Sequence, residues 1–267
     1  MSEGTFDALL RRDRAVVGAA LVVLSVGAWL YLVHLASAMP DMAMPDMPAM
    51  PGTAMPTMHP WGWVEIGGLV VMWALMMVAM MTPAAAPMIL MFATIHRRRA
   101  AEGRPTVPTA IFILGYLLVW TLYSAVAAFT QAGLHAAALL SPAMAATSPL
   151  LAGGLLVAAG VFQWTPLKRA CLAACRSPLS FLMTGWREGR GGALVMGLRH
   201  GLYCLGCCWA LMALLFVAGV MNLLWVAAIA VAVLVEKVIP RGELVSRLVG
   251  VALIGAGALV LARLVTG

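Results

Sequence analysis

The chain has 267 residues, 63% of them hydrophobic and only 10% charged. Soluble domains carry about 25% charged residues, so this composition excludes an ordinary water-soluble globule and points to an integral membrane protein. A net charge of +7 would elsewhere suggest a nucleic-acid partner, but here the basic residues lie in short segments between apolar runs, and no nucleic-acid-binding motif accompanies them.

A helix needs about 20 apolar residues to cross the hydrocarbon core. Seven runs read as spans: 16–35, 64–84, 110–130, 150–162, 193–217, 221–235 and 248–265. The fourth and sixth are the shortest. The first follows Arg11, Arg12 and Arg14, and Ala36–Ala38 resembles a signal cleavage site. Because the run exceeds the roughly 7–15 residues of a signal core, it reads as a retained helix. Six spans remain if it is removed. The expected fold is therefore all-α, a polytopic transmembrane bundle of about seven helices.

Lys and Arg set the orientation. With the N-terminus cytoplasmic, the internal segments collect sixteen of the seventeen basic residues, and only Arg263 falls outside. The regions are then a tail and first helix (1–38), an external segment (39–60), and a six-helix membrane domain (61–267) with a cytosolic Cys-containing loop at 163–192. A multi-pass protein of a bacterial inner membrane fits this layout.

The external segment reads MPDMAMPDMPAMPGTAMPTMHPW. Met39, Met42, Met44, Met47, Met50, Met55 and Met58 alternate with prolines, and His59 follows. Proline at this density keeps the backbone extended, so these methionines cannot form a core. Thioethers bind Cu(I) without deprotonation and suit an oxidising exterior. Metal capture is one reading; a low-complexity linker is the other.

The second span reads GLVVMWALMMVAMMTPAAAP. Met72, Met76 and Met80 fall within roughly 80° of helical arc, and Met77 and Met81 continue around the same half. Methionine packs anywhere apolar, so the row is either core or a ladder of weak thioether sites, as conduction requires. Pro83 and Pro87 should break or kink the helix. Further on, Gly154/Ala158 and Ala252/Ala256 are small-residue pairs suited to close helix packing.

Residues 163–175 read QWTPLKRACLAAC. Thr165 and Pro166 predict a helix start, as N-cap and first position. Cys171 and Cys175 then share a face, either as a thiolate pair or as two small buried residues. Lys168, Arg169 and Arg176 nearby would favour thiolates.

The fifth span opens with RHGLYCLGCCW at 199–209. Met196, His200, Cys204, Cys207 and Cys208 fall within roughly 120° of arc. Thioether, imidazole and thiol on one stripe make a soft-metal surface, suited to Cu(I) and also to Zn(II). Burial of cysteine as a small apolar residue is the competing account. His200 with Cys204 and Cys208, or Cys204 and Cys207 with an outside donor, are the expected sets. Five cysteines in a reducing compartment read as thiols or ligands, not disulfides. Asn222 should cap the hairpin between spans five and six. Glu236 should pair locally with Lys237 at the interface. No catalytic constellation is present, so an enzyme is not expected.

The stretches MWALMMVAMMTPAAAP, TPLKRACLAACRSPLSFL, GLRHGLYCLGCCWALMALLFVAGVMNLLWV and VLVEKVIP resemble the bacterial family described as predicted metal-binding integral membrane protein (domain of unknown function 2182). The resemblance covers about 61–263. It implies a metal-binding membrane protein with His200, Cys204, Cys207, Cys208, Cys171 and Cys175 as candidate ligands. The expected role is copper transport or handling, with the lipid bilayer, the metal ion and a protein of a metal-handling system as partners. The rivals are an assembly factor for a membrane metalloenzyme, a thiol redox enzyme, and a purely structural protein.

Overall fold

The computed structural model describes residues 3–38, 62–104, 107–141 and 144–266. The external methionines Met39, Met42, Met44, Met47, Met50, Met55 and Met58, with His59, lie outside the described residues. The described chain forms ten helices and no strand: α1 (Glu3–Ala38), α2 (Trp63–Ala101), α3 (Thr109–Ala136), α4 (Pro149–Phe162), α5 (Pro166–Arg176), α6 (Pro178–Gly185), α7 (Gly189–Ala213), α8 (Leu215–Ala218), α9 (Leu223–Val238) and α10 (Gly242–Thr266). α2 packs between α1 and α3, α3 lies along α7, α5 along α7, and α4 along α10.

Five helices are long and apolar enough to cross a membrane, from the regions of α1, α2, α3, α7–α8 and α10. The expected seven spans therefore need correction at the fourth and sixth. α4 and α5 form a pair bent by 63°, which makes a sixth crossing if counted as one. The break has a local cause. Pro166 has no N–H to continue α4, and the Thr165 hydroxyl accepts from Lys168 N at 3.2 Å to start a new helix. α9 has 16 residues, about 24 Å of rise, which is short of a full crossing. Asn222 caps it as expected, accepting from Trp225 N at 3.2 Å. Within the segment 163–192, α5 and α6 pack together, and Lys168, Cys171, Leu172 and Leu182 are buried.

Pro83 and Pro87 do not break α2, which runs through both to Ala101. Pro83 cannot donate to the carbonyl of Ala79, one turn back. The Ser25 hydroxyl of α1 donates to that carbonyl at 3.2 Å instead, which removes the cost of a bare buried acceptor.

Glycines set the two closest helix contacts. A Cβ at Gly197 on α7 would collide with the Phe112 carbonyl oxygen on α3, and one at Gly201 with Val119. On α4 and α10, Gly153 and Gly160 face Gly257 and Gly250. The expected pairs Gly154/Ala158 and Ala252/Ala256 are instead exposed. The small-residue seam lies one or two positions away from them, at Gly153, Gly160, Gly250 and Gly257.

Polar ties join the basic segments at one end of the bundle. Arg99 pairs with Glu188 and lies 4.9 Å over the Trp186 ring. Arg176 donates to the Ile239 carbonyl at 2.7 Å and to that of Pro240. A separate polar group joins α2, α3 and the 144–146 turn. Trp73 Nε1 donates to Gln131 Oε1 at 2.7 Å, and Gln131 Nε2 contacts Met144 Sδ at 2.8 Å.

Candidate metal centre

α7 presents its soft stripe inward. Met196, His200, Cys204, Cys207 and Cys208 are each at most 2% exposed. Gly197 and Gly201 bring this face against α3, so the stripe continues into the α2–α3–α7 core. Cys204 lies five residues past Arg199, about 7.5 Å deeper along the helix.

Sulfur from three helices meets there. Cys207 Sγ and Cys208 Sγ both donate to the Cys204 carbonyl, at 3.1 and 2.9 Å. Cys208 Sγ also lies 3.9 Å from Met81 Sδ on α2. The Cys175 thiol, from α5, lies beside Cys204 and Cys207. Tyr116 ties the group to α3: its hydroxyl donates to the Met81 carbonyl at 3.0 Å and lies 3.3 Å from Cys204 Sγ. All five cysteines are free thiols.

Cys175 reaches the cluster, and Cys171 Sγ packs against Gly206, between Cys204 and Cys207 on α7. Among the described residues, no group of three or more His, Cys, Asp and Glu side chains is arranged to hold a metal ion as it stands. The donors are gathered in one region without forming a closed chelate.

His200 is one turn before Cys204. Its ring stacks on Tyr116 and Phe112, at centroid distances of 5.4 and 6.1 Å, and meets Phe181 edge-on at 5.9 Å. Among the described residues neither Nδ1 nor Nε2 has a hydrogen-bond partner, although the residue is 2% exposed. An unpartnered buried imidazole is costly. A soft or borderline cation is a fitting partner for it, as for the neighbouring thiols. On α2, Met72, Met76 and Met80 are all buried, as are Met77 and Met81. Met81 is the member of that row that touches the thiol cluster.

Two further residues join the site, and both are lysines. Lys237 Nζ lies 2.8 Å from Cys204 Sγ. Lys168 Nζ pairs with Glu236 Oε2 at 2.7 Å and also contacts Gln163 Oε1. Ser246 Oγ donates to the same Gln163 oxygen at 3.1 Å. The expected local pair of Glu236 with Lys237 is thus wrong. Consecutive helical residues point about 100° apart, so Glu236 meets α5 while Lys237 meets α7. The Lys168 group borders a cavity of about 250 Å³ lined by Gln163, Arg169, Glu243, Ser246 and Arg247.

A sequence signal for these lysines exists. They are the only two lysines in the chain, and every other basic residue is arginine. Tyr116 and the partner of Met81 have no such signal, because both depend on how α3 lies against α7.

No curated protein and no solved structure matches the chain. Residues 70–260 match a family model, PpoB2, described as a copper chaperone. The matched region contains α3 to α9 whole, and with them every thiol, His200 and both lysines. A soft-donor cluster drawn from three helices and a match over well over half of the chain agree: the protein belongs to the PpoB2 copper-chaperone family.

Proposed function

We propose that this protein handles copper as Cu(I) within a bacterial inner membrane, receiving the ion in the cluster of Cys175, Cys204, Cys207 and Cys208. The observation that carries this reading is the meeting of sulfur from α2, α5 and α7, through Met81, Cys175 and the α7 cysteines. Thiolates bind Cu(I) more tightly than thioethers do, so the buried methionines of α2 would offer weaker sites leading to a tighter one. The external methionines and His59 would collect the ion before Met72, Met76 and Met80. No bond-making step is required of the chain, and a non-enzymatic role follows. Zinc would compete only at the thiols and His200, since methionine is a poor zinc ligand.

The destination of the ion admits two versions. Import would release it from the thiol cluster to the cytosol. Delivery would pass it to a partner protein, such as a membrane metalloenzyme under assembly; the family description as a chaperone favours delivery. The test is anaerobic Cu(I) loading of the purified full chain, with metal quantified per protein, beside copper accumulation in sealed vesicles. Bound copper without flux supports delivery, and flux lost in C204S supports import. Protein that retains no copper under either condition refutes the proposal.

A further inference from the structure

The two lysines are singled out by composition and by place. Both are buried, Lys168 at 0% and Lys237 at 8% exposure. A buried ammonium is stable only beside a negative partner. Lys168 has one, since Glu236 lies 2.7 Å away. Lys237 has turned from that carboxylate into a nest of sulfur. Cys204 Sγ is in contact at 2.8 Å, and the Cys207 and Cys208 thiols converge on the same residue at its carbonyl. Its closest partner is the Cys204 sulfur, which as a thiolate would supply the counterion.

A monovalent cation thus already sits on the sulfur atom at the centre of the cluster. This accounts for two observations together. The donors are gathered, yet no three of them close on a common point. And the thiol cluster also holds a lysine head, which contributes nothing to apolar packing.

We propose that the Lys237 ammonium is an internal stand-in for the cargo: it neutralises the thiol cluster while no metal is bound, and it leaves Cys204 when Cu(I) arrives. This rests on the reading of the cluster as the Cu(I) site. The exchange balances, because one singly charged cation replaces another on the same sulfur and the lysine keeps its proton. The buried charge at the thiolates is the same before and after, so loading does not require a new uncompensated charge in the bundle. It also gives a route for release, since the returning ammonium competes for the same sulfur.

The side chain suits the task. Lysine carries a compact head on a flexible four-carbon stem, whereas an arginine fork would hold several acceptors at once and vacate slowly. Lys237 is the penultimate residue of α9, which ends at Val238. Near a helix C-terminus the last carbonyls favour a cation, so a flexible stem there has an alternative set of acceptors. Lys168, fixed by Glu236 and Gln163, is a built-in reference that has no reason to move.

Amine labelling tests this on the native chain, since only two side chains can react. The full protein in detergent is treated with an amine-reactive ester under anaerobic conditions, without metal, with Cu(I), and with redox-inert Ag(I). Peptides carrying Lys168 and Lys237 are quantified, and bound metal is measured in the same samples. Labelling at Lys237 should rise several-fold on loading with either ion while Lys168 stays constant. Bound copper with unchanged Lys237 labelling overturns this inference and leaves the copper reading intact. A joint rise at both lysines indicates general opening and also overturns it. Absence of bound metal refutes the copper reading and this inference with it. Independently, K237M removes the competing cation and should hold Cu(I) about tenfold more tightly against a soluble chelator. Equal or weaker retention in folded K237M counts against the proposal. If K237M does not fold, the labelling result on the native protein decides alone.

Discussion

The α3–α7 and α4–α10 pairs are joined by the same device and put to different uses. In each, glycines on facing helices let the backbones approach until a Cβ would collide. Along α4 and α10 the seam is aliphatic, with Leu156, Val157, Ile254 and Leu261 around the glycines, and much of the outer surface of both helices is exposed and apolar. Along α3 and α7 the glycines alternate with Tyr116, His200 and Cys204. Close packing alone therefore does not mark the site. What marks it is the presence of polar and soft side chains that continue the glycine face inward.

The comparison can be broken most severely at Gly197. G197L places a side chain against the Phe112 carbonyl and the Gly115 backbone, and should destabilise by about 3 kcal/mol or more, beyond the usual range for overpacking. G154L, at an open outward position, should leave thermal unfolding in detergent nearly unchanged. Equal losses in the two variants would mean that the seam was misplaced.

The next largest effect concerns metal. C204S should reduce Cu(I) retention by about 100-fold or more, because even residues that merely support a ligand are worth about 10–100-fold. C171S should change retention little, since its sulfur packs on Gly206 and not into the cluster. Chelator competition on the two purified variants measures the difference. Y116F removes the hydroxyl that joins Met81 to Cys204 and should cost about 0.5–1.5 kcal/mol in stability, read from denaturation midpoints.

The smallest effect belongs to the exposed tie between Arg99 and Glu188. The hydrogen bond from Arg99 holds the Glu188 carboxyl below its ordinary range, outweighing a slight opposing effect of burial. A depressed carboxylate adds stability above its unfolded-state value and loses it as pH falls through the folded-state value. E188Q should therefore match the native protein at acidic pH. At neutral pH it should differ only slightly, because solvent and salt screen the pair.

Much of this arrangement is legible in residue order. The apolar runs, the Thr165–Pro166 start, the Asn222 cap and the inward stripe from Met196 to Cys208 all follow from local chemistry and the 3.6-residue period. The failures share one cause. Which lysine Glu236 meets, how Cys171 and Cys175 sit against α7, and whether Gly153 or Gly154 faces α10 depend on how one helix is rotated against another. A one-position error turns a face by about 100°. The period defines a stripe but not its partner. Proline in α2 was a different kind of difficulty. Its break is prevented by a hydroxyl some fifty residues earlier in the chain, and no local pattern records that.

That hydroxyl has a consequence for maturation. If α1 were excised after export, Ala79 would lose its donor in the one stretch of α2 that cannot repair itself, and the apolar faces around Leu21, Ala28 and Leu32 would go with it. The N-terminal helix lies along the methionine helix as a strut.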